Sequence, residues 1–167
     1  MQGHGRPGRA TRRGGPGAGG GVRALSSTLV HELRVRYAEC DPQGVVFNSR
    51  YLEYFDIGLT ELWREALGSY DGVMVEHGVD IVVAEATVRY HAPLRFDDLF
   101  DVRVALARLG TTAMTTGIEL LRGPDLVAEG ELRHVFVGRV TATKTTIPYP
   151  IRAALQRYVQ GGAQLSP

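Results

Sequence analysis

The sequence predicts an α+β fold: an antiparallel sheet of about five strands wrapped around one long central helix. Three observations predict it. Residues 28–37 alternate apolar and charged side chains, the period of a half-buried strand. Residues 49–67 change to apolar recurrences at three- and four-residue steps, the period of a helix. Four more strand-like runs follow, the later three joined by short loops that favour antiparallel pairing. Curling the sheet around the helix buries the apolar faces of both.

In the first strand Leu29, Leu33, Val35 and Tyr37 share a face, opposite Glu32, Arg34 and Arg36. The turn "ECDPQG" (39–44) follows, with Pro42 and Gly44 setting its backbone angles. On the helix Tyr51, Phe55, Gly58, Leu59, Leu62 and Ala66 form the apolar side, with Glu53, Asp56, Glu61 and Arg64 between them. Tyr54 and Trp63 widen that side, so the helix should be covered over much of its circumference, and Gly68 is placed to end it as a C-cap. "YDGVMVEHG" (70–78) can hold a short helix. "DIVVAEATVRYHA" puts Val82, Ala84, Ala86, Val88 and Tyr90 on one face, and "DLFDVRVALARL" sets Phe100, Val102, Val104 and Leu106 against Asp101 and Arg103. "TTAMTTGIELL" and "DLVAEGELRHVFVGRV" complete the strands, with "RGPD" as a turn between them. A short C-terminal helix is expected in "TIPYPIRAALQRYV", with Pro150 in its first turn.

The 167 residues suit one domain with a single core. A net charge of +1 gives no reason to expect nucleic acid or an anionic membrane as partner. No apolar run reaches the roughly 20 residues that span a bilayer, so a soluble protein is expected. The single cysteine, Cys40, rules out an intramolecular disulfide and fits a reducing, cytoplasmic compartment. Residues 1–27 are rich in Gly, Arg and Pro and read as a disordered extension. They lack the apolar centre of a secretory signal, the helix propensity of a transit peptide and the interleaved aromatics of a nucleic-acid-binding tail. The expected organisation is therefore an extension (1–27), one domain (28–160) and a C-terminal tail (161–167).

Asp41 carries the chemical question. An Asp beside a proline is a common turn former, and a carboxylate near a helix start suits the positive end of the helix dipole. Yet Asp41 stands some seven residues ahead of the clear helix, too far for a simple cap. A carboxylate and free backbone N–H groups in one crevice are also the pair needed to attack a carbonyl, so both readings stay open. Strand alternation turns Cys40 away from Asp41 and no histidine is near, which makes Cys40 a small buried residue. His31, His77, His91 and His134 lack ligand spacing, so no metal is expected. His31 and His134 read as hydrogen-bonded core residues. Glu85, within an apolar strand, is either a paired structural carboxylate or a group facing a site.

The stretch "CDPQGVVFNSRYLEYFD" resembles the signature of the hotdog-fold acyl-CoA thioesterases of the 4-hydroxybenzoyl-CoA thioesterase and YbgC type: an Asp, two residues, Gly-Val-Val with an aromatic, then Tyr on the helix. The resemblance continues through "VRYHAPLRFDDLFDVRV" and "GELRHVFV" and covers roughly residues 30–146. It implies a hotdog fold, dimerisation through sheet edges (a homodimer, or a homotetramer as a dimer of dimers) and active sites at the subunit interface. It implies an acyl-CoA substrate, no metal and no bound cofactor. Asp41 would be the catalytic carboxylate, as nucleophile or general base, supported by Phe47, Asn48, Ser49 and Tyr51. The oxyanion donors would be backbone amides of Arg50 and Tyr51, and of Ala84 and Glu85. Some members draw their carboxylate from the helix, which keeps Glu53 and Glu61 as minor candidates beside their reading as its solvated side. Tyr51 and Phe47 would wall the acyl pocket.

Two positions depart from the family pattern. Asn48 replaces a His or Tyr found in many members; it can orient a water but cannot exchange a proton. "GTT" (110–112) stands where some members place Arg or Lys for the CoA phosphates, so the CoA contacts fall to Arg108, Thr111 and Thr112. These departures leave room for a carrier-protein-bound thioester, or for a non-catalytic acyl-thioester binding protein.

Overall fold

A computed structural model describes residues 27–160. The expected disordered extension, apart from Ser27, and the tail 161–167 lie outside the described residues. The chain runs β1 (Leu29–Arg34), α1 (Arg50–Leu67), α2 (Tyr70–Glu76), β2 (Val79–Tyr90), β3 (Leu99–Leu109), β4 (Ala113–Arg122), β5 (Asp125–Gly138) and α3 (Tyr149–Leu155), with 3-10 turns at Tyr37–Glu39 and Gln156–Tyr158. The five strands form one antiparallel sheet in the order β1-β3-β4-β5-β2. This is the hotdog arrangement: β3, β4 and β5 form a meander, and β1 and β2, which flank α1 in sequence, become the two edges.

α1 packs mainly against β3 and β1. Tyr54 packs on Phe100 with ring centroids 4.9 Å apart, and Phe55 and Leu62 are buried in the same core as Val102 and Val104, a buried Phe or Leu side chain being worth about 1.5–3 kcal/mol of transfer energy. Gly58 sets how close the helix comes: a Cβ there would lie 2.5 Å from Val102 Cγ1 and 2.8 Å from Val104 Cγ2. Gly68 ends the helix at φ 77°, donating its N–H to Arg64 O at 2.8 Å. Pro150 lies in the first turn of α3, where its missing N–H costs nothing.

Two expectations are corrected. β1 stops at Arg34, and Tyr37 is 81 % exposed instead of sharing the strand's inner face. The cause is Glu39, whose buried carboxylate accepts the Arg36 N–H at 2.7 Å and winds the chain into a 3-10 turn. On β2, the inner face carries Ile81 and Val83, then Ala86, Val88 and Tyr90; Val82 points the other way. A bulge between Val83 and Glu85 adds one residue and reverses the alternation. α1 leans toward β1 and leaves this half of the sheet open, so Val83, Ala86 and Tyr90 are exposed although they face the helix side.

Candidate active site

Asp41 is held in a closed turn. Its N–H donates to Val45 O at 2.9 Å, its carbonyl accepts the Gly44 N–H at 2.9 Å, and Oδ1 accepts the Gln43 N–H at 2.8 Å. Gly44 supplies the positive φ of 74° the turn requires. The half-buried carboxylate keeps Oδ2 without a hydrogen-bond partner among the described residues. Around the turn, Cys40 and Val46 form a bridge, Val46 N–H donates to Leu94 O at 2.8 Å and Phe47 N–H to Glu39 O at 2.9 Å. The turn is thus fastened on both sides to the core.

Glu39 is the fastening point. Its Oε2 also accepts the Tyr54 hydroxyl at 2.7 Å, and Oε1 accepts Arg36 Nε at 2.7 Å. Burial pushes its carboxyl up, but the Arg36 N–H, the Tyr54 hydroxyl and the Arg36 guanidinium outweigh that and hold it below the ordinary carboxylate value. Burial, then the Glu39 hydrogen bond, drives the Tyr54 hydroxyl strongly upward, so it remains a donor.

At the start of α1, Val46, Asn48, Tyr51, Tyr90, His91, Ala92 and Pro93 line a groove of about 270 Å³. Tyr90, read from sequence only as a strand residue, donates its hydroxyl to Asn48 O at 3.0 Å and meets the Tyr51 ring edge-to-face at 5.0 Å. The Tyr51 hydroxyl in turn accepts the Leu94 N–H at 3.2 Å. Among the expected oxyanion amides, that of Arg50 is engaged with Phe47 O at 2.9 Å, and that of Tyr51 makes a long 3.4 Å bond to Asn48 O. The amides of Asn48 and Ser49 have no acceptor among the described residues. Ser49 is the N-cap but makes no side-chain cap bond. Asn48 and Tyr51 therefore come together, while Asp41 and the exposed Phe47 do not line this groove within one chain.

The remaining candidates separate clearly. Ala84 sits where the β2 register skips a residue, and Glu85 pairs with Arg133 Nε at 3.1 Å, the structural reading. Glu53 pairs with Arg50 at 2.6 Å and Glu61 with Arg64, both on the outer side of α1. Arg108, Thr111 and Thr112 lie at the β3–β4 hairpin, where Thr112 O accepts Phe136 N–H and Thr111 O accepts Ile147 N–H, both at 2.9 Å. The Asp41 turn is joined by the Val46 N–H to Leu94 O, ahead of the start of β3, whereas the Arg108 hairpin lies at the other end of that strand. Cys40, read from sequence as a buried residue, is only half-buried, packed against the edge of the core. His31 is only half-buried, and the buried His134 has an Nδ1 without a partner, which corrects its reading as a hydrogen-bonded residue. The described residues hold no cluster of three or more His, Cys, Asp or Glu able to bind a metal, and no helix long and apolar enough to cross a membrane.

Comparison with known proteins agrees with this geometry. Residues 35–155 match the model of the thioesterase-like superfamily. The acyl-CoA thioester hydrolase YbgC of Escherichia coli O6:H1 is 27 % identical over 135 residues, 80 % of this chain and 100 % of that protein. The crystal structure of the hypothetical protein TT1821 from Thermus thermophilus superposes with a TM-score of 0.71 at 32 % identity, covering 77 % of this chain and 98 % of that one. Slr0204 of Synechocystis, a 1,4-dihydroxy-2-naphthoyl-CoA thioesterase, shares the fold with a TM-score of 0.71 at 18 % identity, over 78 % of this chain and 96 % of its own.

Proposed function

Because the chain belongs to the thioesterase-like superfamily, we propose that it hydrolyses the thioester bond of acyl-CoA to the free acid and CoA, with Asp41 as the working carboxylate. The observation that carries this reading is the Asp41 turn: a carboxylate fixed through Oδ1 and the backbone, with Oδ2 free, just ahead of a helix start whose Asn48 and Ser49 amides have no acceptor. An ionised carboxylate can work here in either of two balanced ways. As a base it takes a proton from water while the water oxygen bonds to the thioester carbon, and collapse of the adduct expels the thiolate. As a nucleophile, Oδ2 bonds to that carbon, expels the thiolate and leaves a mixed anhydride that water then cleaves. In both, the carbonyl oxygen gains charge, and amides at the helix start are suited to stabilise it.

The site is completed by a second copy of the chain. The placement of the Asp41 turn near the start of β3 and of the Arg108 hairpin at its end supports this, since a CoA thioester touching both is served by bringing them together from two subunits. The edge strand β2, with Val82, Val83, Ala84 and Ala86 all exposed, offers the surface for it. Cys40, free and half-buried, fits a reducing, cytoplasmic setting.

A panel of acyl-CoAs scored by free thiol release tests the reading. Hydrolysis of at least one member is expected, and binding without turnover across the panel would instead identify an acyl-thioester binding protein. One observation favours a carrier-protein substrate: Thr111 and Thr112 bring no charge to the hairpin where CoA phosphates would need it. Presenting one acyl group on CoA and on a carrier protein separates the two substrates.

A further inference from the structure

Tyr90 is the last residue of β2 and is 52 % exposed. Its hydroxyl donates to Asn48 O at 3.0 Å, and its ring stands edge-to-face on Tyr51 with centroids 5.0 Å apart. The Tyr51 ring is itself fixed, being buried, with its hydroxyl accepting the Leu94 N–H at 3.2 Å. A braced aromatic pair thus delivers one hydroxyl to one backbone carbonyl.

That carbonyl is half of a peptide group whose other half bears on the chemistry. Asn48 C=O and Ser49 N–H belong to one planar trans unit, so they point in opposite directions and turn together. Ser49 is the N-cap of α1, makes no side-chain cap bond, and its N–H has no acceptor among the described residues. The helix grips this peptide only through the long 3.4 Å bond from Tyr51 N–H to Asn48 O. Tyr90 supplies the shorter contact. Stability alone does not call for it, because Asn48 and Ser49 are exposed and water serves an exposed carbonyl about as well.

We propose that Tyr90 is a positioning residue for thioester hydrolysis: by holding Asn48 O it aims the Ser49 N–H, on the other side of the same peptide, at the carbonyl oxygen of the bound acyl group. The inference rests on the acyl-thioesterase reading. A hydrogen bond to the carbonyl oxygen also polarises the peptide and makes its N–H a stronger donor, by about 10–30 % per bond. A donor fixed before the reaction needs no reorganisation as charge develops on the oxyanion. The trans geometry turns the Ser49 N–H away from Tyr90, so Tyr90 acts through Ser49 and exchanges no proton itself.

The test uses the full-length protein carrying Tyr90→Phe, which keeps the ring against Tyr51 and removes only the hydroxyl. On the best substrate of the acyl-CoA panel, kcat is expected to fall about 10-fold with KM nearly unchanged, less than the roughly 10²–10³-fold that follows outright loss of an oxyanion donor. The second readout is the infrared band of an isotope-labelled thioester carbonyl in acyl-CoA bound to Asp41→Asn protein. Hydrogen bonding to that oxygen lowers the band, and adding Tyr90→Phe should move it back toward its position in free acyl-CoA. A merely structural role would reduce the amount of folded protein and leave the band of the bound ester in place. A kcat within about 2-fold of wild type, or a reduced kcat with an unmoved band, would overturn the proposal. Absence of hydrolysis across the whole panel would defeat the thioesterase reading instead, and the band of bound acyl-CoA would still decide the role of Tyr90.

Discussion

The Tyr54 hydroxyl donates a 2.7 Å hydrogen bond to Glu39 Oε2 in the buried core. It joins the second turn of the central helix to the chain two residues before Asp41. The carboxylate proposed to do the chemistry is therefore positioned by a second, buried carboxylate.

Replacing Tyr54 with Phe removes a hydrogen bond to a charged acceptor, and should cost about 1.5–3 kcal/mol of stability at neutral pH, read by urea unfolding. The sign of the pH dependence follows from Glu39. Its folded pKa lies below the ordinary value of 4.5, so its contribution is present above that pH and is lost as pH falls through the folded value. The difference between wild type and Glu39→Gln should accordingly shrink on acidification below about pH 4.5.

Gly58→Ala should destabilise despite the better helix propensity of Ala. Its Cβ would lie 2.5 Å from Val102 Cγ1, and overpacking of this kind costs about 1–3 kcal/mol against a propensity gain of about 1. Adding Val102→Ala should recover part of the loss, which a double-mutant cycle in denaturant measures.

Burial lowers the His134 pKa from 6.5. The folded state then binds fewer protons than the unfolded one, so stability is full above about pH 6.5 and declines as pH falls below it. His134→Phe should remove this slope below about pH 6.5, as followed by thermal unfolding at a series of pH values.

Val83→Lys, on the exposed stretch of edge strand β2, places a charge where a second chain would pair. The variant should elute as a monomer in light-scattering chromatography and lose thioesterase activity together with the dimer.

Much of the fold was legible from periodicity. The α1 span, its Gly68 cap, the four later strands and the inner residues Phe100, Val102, Val104 and Leu106 all follow from apolar spacing. Tyr37 and Val82 were misplaced because each depends on an event that period does not record. In one case a buried carboxylate bends the chain; in the other a bulge flips the alternation. For the site, the Asp41 turn could be found by motif. The engaged state of the Arg50 amide and the placement of the Arg108 hairpin at the far end of β3 could not. Those depend on strand order and on which elements lie opposite each other, and neither is written in local spacing.

The most direct test is the turnover of Asp41→Asn, measured by thiol release on the best substrate of the panel, with circular dichroism confirming a native fold. Asn preserves the turn-forming side-chain oxygen but can neither take up a proton nor form an anhydride. The account predicts a loss of about 10³-fold or more in kcat. Turnover within about 3-fold of wild type would contradict it, because loss of a general acid–base group ordinarily costs at least about 10²-fold.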